Sequence, residues 1–396
     1  MNCKILFPKF PFLLILAFSF FLAPAFSFGA NSCVSNPTEL QTALTTAASN
    51  GEDDTIQIVQ GTYSGNFTYA SYEANSLTVE GGYTSGCASQ VIAPANTVLD
   101  GGGTDTVLAL VSQGAANFSV EGLTLQNGNT STADDGGGLH ARTDGVVTLT
   151  NNTFSQNTAE DEGGGVDVFC YNYPCNVTAT LTDNIFTGNT AGAGGGGFHV
   201  YSPDGGTTTL TNNRFTENTA GGGGGVLIIS TNSTLTNNTF TTNTGGCCGG
   251  AVVSASNNIL TNNIFTGNTA TTGKAGGASV GNNSSTGTTT FTNNTFSENT
   301  AEDDGSGVYI NSGNIKLTNN TFRDNTTYGS GGGVYISPPG SFHASPATLT
   351  NNTFSQNTAE DGGCCCRFDQ SGSGTAKNCS GAKVNDCRTV KKIGCG

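Results

Sequence analysis

The chain is poor in bases, in helical pattern and in long apolar runs. Lys and Arg number 13 in 396 residues, against 28 Asp and Glu. Setting aside Lys4 and Lys9 near the start and the basic end of the chain, residues 31–363 keep five bases against 26 acids, a net charge of −21. Phosphate binding needs Lys and Arg, so nucleic acid is excluded as a partner, whereas cations and positively charged surfaces suit such a chain. Past residue 30 no apolar run is long enough to cross a membrane as a helix. Glycine runs such as 221–225 are followed neither by Lys-Ser/Thr nor by a helix, so they are not phosphate cradles. Tryptophan is absent, while glycine reaches 58 residues.

What is present is a repeat. Leu-Thr-Asn-Asn-Thr-Phe at 149–154 returns, with substitutions, at Leu181, Leu210, Leu235, Leu260, Phe291, Leu317 and Leu349. Its phenylalanine falls at Phe154, Phe186, Phe215, Phe240, Phe265, Phe296, Phe322 and Phe354, spaced by 25–32 residues. Three residues further on stands an asparagine: Asn157, Asn189, Asn218, Asn243, Asn268, Asn299, Asn325 and Asn357. A glycine-rich run and a short apolar stretch complete each unit. Eight copies at this period indicate a repeat architecture.

The shortest unit, 235–259, contains three β-prone pieces and none with the length or period of a helix. Gly, Asn and Thr between them favour turns and strands. Each unit therefore reads as one coil of three short strands, stacked on the next at about 4.8 Å. Leu235, Phe240 and Val252 are expected to point inward. Asn238, Asn243 and their equivalents fall at the bends, where identical amides one strand apart can bond in a ladder. Glycine at the third corner permits positive φ and close backbone approach. The fold class is all-β: a parallel β-helix solenoid with an N-terminal capping helix.

Phe-x-x-Asn paired with Gly-Gly-Ala/Val-Ile/Val, as in Phe240-Thr-Thr-Asn243 with Gly249-Gly250-Ala251-Val252, resembles the polymorphic outer membrane protein repeat. That repeat lies within the right-handed β-helix group of pectin-lyase-like shape. The resemblance spans roughly residues 120–363. It implies an outer-surface protein, secreted or associated with the outer membrane, that meets cell-surface or matrix components, glycans among them. The shape alone hosts lyases, hydrolases, adhesins and inert stalks.

Residues 1–30 read as a signal peptide, with Lys4 and Lys9 ahead of an apolar run and small residues at 23–25 and 27–30 for cleavage. Export permits disulfides, and Cys33 with Cys87 and Cys170 with Cys175 are the candidate staples. Residues 31–119 form the cap and irregular first coils. Within them 36–50 is a helix, with Asn36 as cap, Pro37 in the first turn and Leu40, Ala43, Leu44 and Ala47 as its apolar stripe. Regular repeats occupy 120–363. A Cys-rich basic tail, 364–396, then interrupts the pattern in mid-unit. It reads either as a disulfide or metal knob or as a break in the reading frame, which the abrupt stop favours.

No catalytic or cofactor residue is assigned from the sequence. His140, His199 and His343 look scattered and are read as surface or rim residues. The acids Asp134, Asp135, Glu160, Asp161 and Glu162 recur in one loop position, as do those at 302–304 and 360–361. They are candidates for loosely held calcium, with a solvated face as the favoured reading. The expected role is non-catalytic and adhesive or structural. The alternative is a polysaccharide lyase or glycoside hydrolase acting on acidic glycans.

Overall fold

In the repeats, two bends of each described coil are closed by buried asparagines. The coil that begins at Val226 shows the design. A strand, Val226–Thr236, ends at Asn237, whose φ of 57° lies in the left-handed region. After Asn238 comes the strand Thr239–Thr241, then Thr242 with φ 52°, Asn243, and the strand Thr244–Gly245. A bend of this kind turns backbone groups away from their sheet, and a buried N–H or C=O must find another partner. The asparagines provide it. Asn243 Oδ1 accepts from the backbone N–H of Asn218 (3.0 Å) and from Asn218 Nδ2 (3.0 Å), while its own Nδ2 donates to the Phe215 carbonyl (3.0 Å). Asn238 does the same towards Asn213 and Leu210. Two such files, from Asn152 to Asn352 and from Asn157 to Asn357, run the length of the repeats, with each member at most 1% exposed.

This computed structural model describes residues 30–131, 136–281, 287–337 and 347–361, together with the backbone of 366–368, 383–385 and 388–389. Among them three parallel sheets of 20, 12 and 10 strands form the faces of a β-solenoid. The 20-stranded face contains two strands from most coils, fused into one in Phe198–Thr211, Val226–Thr236 and Ala251–Thr261. The 12-stranded face carries the phenylalanines. From Phe154 to Phe354 the rings are fully buried and each stacks on the next, with centroids 4.6–5.1 Å apart. That distance is the inter-strand spacing itself, so the backbone ladder and the ring stack share one period.

One inward assignment changes. Val252 faces outward, and Ala251 and Val253 fill the interior instead. With a side-chain period of two, a shift of one residue exchanges the faces, and the glycine run left the start of this strand undefined. The glycine corner works mainly by close approach: a Cβ on Gly224 would stand 2.5 Å from the Gly249 carbonyl oxygen. Positive φ appears there at fewer places, such as Gly163 (63°) and Gly305 (73°).

The helix spans Pro37–Ala47, with the Asn36 side chain accepting from the Glu39 N–H, and it buries Leu40, Ala43, Leu44 and Ala47. It stops before residue 50, because the Asn50 side chain instead closes a turn, accepting from the Glu52 N–H and donating to Asp54. The strand Ala30–Val34 precedes it and pairs with Asp54–Val59. Cys33–Cys87 and Cys170–Cys175 are disulfide-bonded; Cys247 and Cys248 are free thiols. Residues 1–29 and most of the tail lie outside the described residues. The described tail backbone pairs in parallel with the last strands of all three sheets.

Candidate functional site

The outer side of the 20-stranded face carries a file of positions that are in register from coil to coil. Parallel pairing aligns His140 with Asp167, Asp167 with His199, and His199 with Leu227. These residues alternate with Leu139, Ala141, Val166, Val168, Phe198 and Val200, which point into the core. His140, Asp167 and His199 therefore project from one face, about one strand spacing apart. Loops leading into the strands fold over them, so they are 6%, 1% and 1% exposed.

The three form a connected polar group. His199 Nδ1 lies 2.7 Å from Asp167 Oδ1 and 3.1 Å from Glu162 Oε2, which reaches in from the loop ahead of Val166. His140 Nδ1 stands 3.2 Å from Asp167 Oδ2, within ion-pair range but without hydrogen-bond geometry. Burial by itself would raise the Asp167 pKa; the imidazoles of His140 and His199 outweigh it and hold the carboxyl below its ordinary range. Burial likewise opposes the charged form of His199, and the Asp167 hydrogen bond and charge, aided by Glu162 and Asp161, raise its pKa nonetheless. The arrangement is a carboxylate held between two imidazoles, with a second carboxylate on one of them.

Two residues further along the same strands runs a second outer file. Arg142 aligns with Phe169, Phe169 with Tyr201, and Tyr201 with Ile229. The Phe169 and Tyr201 rings stack with centroids 5.2 Å apart. The Arg142 guanidinium carbon lies 5.7 Å from the Phe169 ring and 5.0 Å from that of Tyr171, within cation–π reach. Its Nε is buried and has no hydrogen-bond partner. Tyr171 belongs to the small excursion closed by Cys170–Cys175. A guanidinium bracketed by aromatic rings thus adjoins the His–Asp–His group.

The sequence reading placed His140 and His199 on the surface and apart. The structure corrects both points: they are buried, and one aspartate joins them. Asp167 itself was missed. Aligning the units on the glycine run would have found it, because Gly138-Leu-His140, Gly165-Val-Asp167 and Gly197-Phe-His199 occupy one column. Of the acidic candidates, Glu160 and Asp161 lie on the same loop as Glu162, while Asp134, Asp135 and His343 fall outside the described residues.

A model of the right-handed β-helix region matches residues 108–296 and, in a second overlapping match, 178–343. The chain belongs to that family, within the pectin-lyase-like group. No curated protein sequence matches it. Among solved structures it is similar to the PL6 family alginate lyase AlyGC (17% identity, TM-score 0.36, covering 90% of this chain and 51% of that one). A mannuronic acid specific family 6 polysaccharide lyase from human gut microbiota is similar at 12% identity and TM-score 0.36, covering 90% and 91%. An alginate lyase from Paenibacillus sp. str. FPU-7 is similar at 14% and 0.34, covering 91% and 97%. The chain spans about half the length of AlyGC.

The expectation of a non-catalytic adhesive rod is corrected: the similar solved structures are polysaccharide lyases, a likeness that by itself gives this chain no activity. The outer face also carries a buried ionisable group. Among the described residues no helix is long and apolar enough to cross a membrane.

Proposed function

We propose that this protein is a secreted polysaccharide lyase acting on acidic, uronate-bearing glycans, with its site on the outer face between residues 139–142 and 198–201. The observation that carries the reading is the file Arg142–Phe169–Tyr201 beside the His140–Asp167–His199 group. The stacked rings of Phe169 and Tyr201, with Tyr171 beside them, offer apolar surface to a sugar chain lying across the file. The Arg142 guanidinium presents a planar fork that matches a carboxylate. In elimination from a uronate the proton leaves C5, the C4–O bond breaks, a C4=C5 double bond forms and the departing oxygen takes up a proton. A cation on the uronate carboxylate stabilises the charge that develops next to C5. The two disulfides fit an oxidising compartment.

The hydrolase form of the reading fits less well. Two hydrolytic carboxylates face each other across about 5–9.5 Å of substrate. Here Glu162 and Asp167 both bond to one imidazole nitrogen. The finer likeness to the polymorphic outer membrane protein repeat concerns the inner Phe and Asn files and lends this site no residue.

The test is incubation with polymannuronate, polyguluronate and pectate, following the ultraviolet absorbance of unsaturated products. Wild type is expected to turn over at least one of them, and Arg142→Gln to lose at least about 100-fold, the scale of removing one charge-stabilising donor. Full activity in a folded Arg142→Gln variant, or no elimination product from any of the three polymers, would sink the reading.

A further inference from the structure

We propose that Glu162, Asp167 and His199 form a binding site for one divalent metal ion of the zinc class. One carboxylate oxygen each of Glu162 and Asp167 and a ring nitrogen of His199 lie within 4.8 Å of one another. Around a zinc-sized ion, with bonds of about 2.0–2.2 Å, tetrahedral ligand atoms stand roughly 3.3 Å apart. The present separations from Nδ1, 2.7 and 3.1 Å, need to open by only a few tenths of an ångström.

Asp167 is 1% exposed; its Oδ1 faces His199 and its Oδ2 faces His140. His140, 3.2 Å from that oxygen, braces the far side of the carboxylate, as groups behind a metal ligand commonly do.

The donor set decides the class of ion. One imidazole nitrogen with two carboxylate oxygens suits zinc and its first-row neighbours, whereas calcium and magnesium prefer oxygen alone. Entry is available, because the Glu162 side chain is 28% exposed while its partners are covered. The net charge of −21 over residues 31–363 raises the local concentration of any cation. None of this depends on the chain acting on glycans, since binding is read without substrate.

The experiment uses the full chain, stripped with a chelator and titrated by calorimetry with Zn²⁺ and, separately, Co²⁺. Asp167→Asn, Glu162→Gln and a double Cys247→Ser/Cys248→Ser variant run beside wild type. One equivalent is expected in wild type and in the double cysteine variant. Loss of a direct ligand should weaken binding at least about 100-fold in Asp167→Asn, the upper end of what second-shell changes cost. The Co²⁺ complex should show ligand-field bands without thiolate charge transfer. Should Asp167→Asn fail to fold, anomalous diffraction from zinc-soaked wild-type crystals decides. No saturable site, unchanged affinity in a folded Asp167→Asn, or an ion located on cysteines overturns the proposal and leaves the group as a structural ion-pair network.

Discussion

Inside the solenoid one register position repeats the same residue for eight coils, whereas on the outer face one register position changes in nearly every coil. The inner file is phenylalanine from Phe154 to Phe354. The outer file reads Ala109, His140, Asp167, His199, Leu227, Val252, Ser279, Tyr309 and Tyr335. Both are held by the same parallel pairing, so geometry does not distinguish them. The difference lies in what each side chain must satisfy. A ring in the interior has to fill a fixed volume between two identical rings, and densely packed cores tolerate little change. A residue on the outer face answers only to its neighbours on that face, so chemistry can vary there without disturbing the stack. The His–Asp–His group is such a local departure, confined to three consecutive coils.

The largest expected effect strikes the inner file. Phe240→Ala removes a ring stacked on Phe215 and Phe265 and should destabilise by about 3–5 kcal/mol, read as a drop in chemical-denaturation midpoint. A loss below about 1 kcal/mol would mean that the stack is not what holds the coils. A sharper comparison uses neighbours in one strand. Val253→Thr places a hydroxyl in the core and should cost about 1–3 kcal/mol. Val252→Thr, one residue earlier and facing out, should change stability by less than about 0.5 kcal/mol. Equal effects would deny the difference between the two faces.

The smallest effect is chemical and leaves stability untouched. Cys247 is exposed and Cys248 buried, with their sulfurs 3.0 Å apart. The Cys248 thiol beside it lowers Cys247 to about 7, with burial opposing and the Lys274 ammonium assisting. The Cys248 thiol is pushed up by Cys247 and by burial. Since the thiolate is the reactive form, iodoacetamide labelling of Cys247 should rise through a midpoint near pH 7, with Cys248 unlabelled. A midpoint near the ordinary thiol value, or labelling of both, would show that the inner and outer thiols do not differ as described.

The repeat made the fold legible because each structural device leaves a residue at a fixed period. The phenylalanine fills, the asparagine closes a bend, and the glycine lets backbones approach. The candidate site left a fainter mark. His140, Asp167 and His199 are 27 and 32 residues apart and share only their place two residues after a glycine run. Their meeting depends on register, and register in the glycine-rich corner was the least constrained part of each unit, as the exchange of Val252 for Val253 shows.

The sequence by itself determined the coil, its β-strands and the stacking of like on like, because burial and backbone hydrogen bonding act alike in every unit. Only the tertiary structure decided which outer residues share a face, that loops bury two histidines and an aspartate together, and that a guanidinium lies against the aromatic rings beside them. Those outcomes arise from contacts between coils, where the position of one unit over the next, and not the pattern within a unit, sets the distance between side chains.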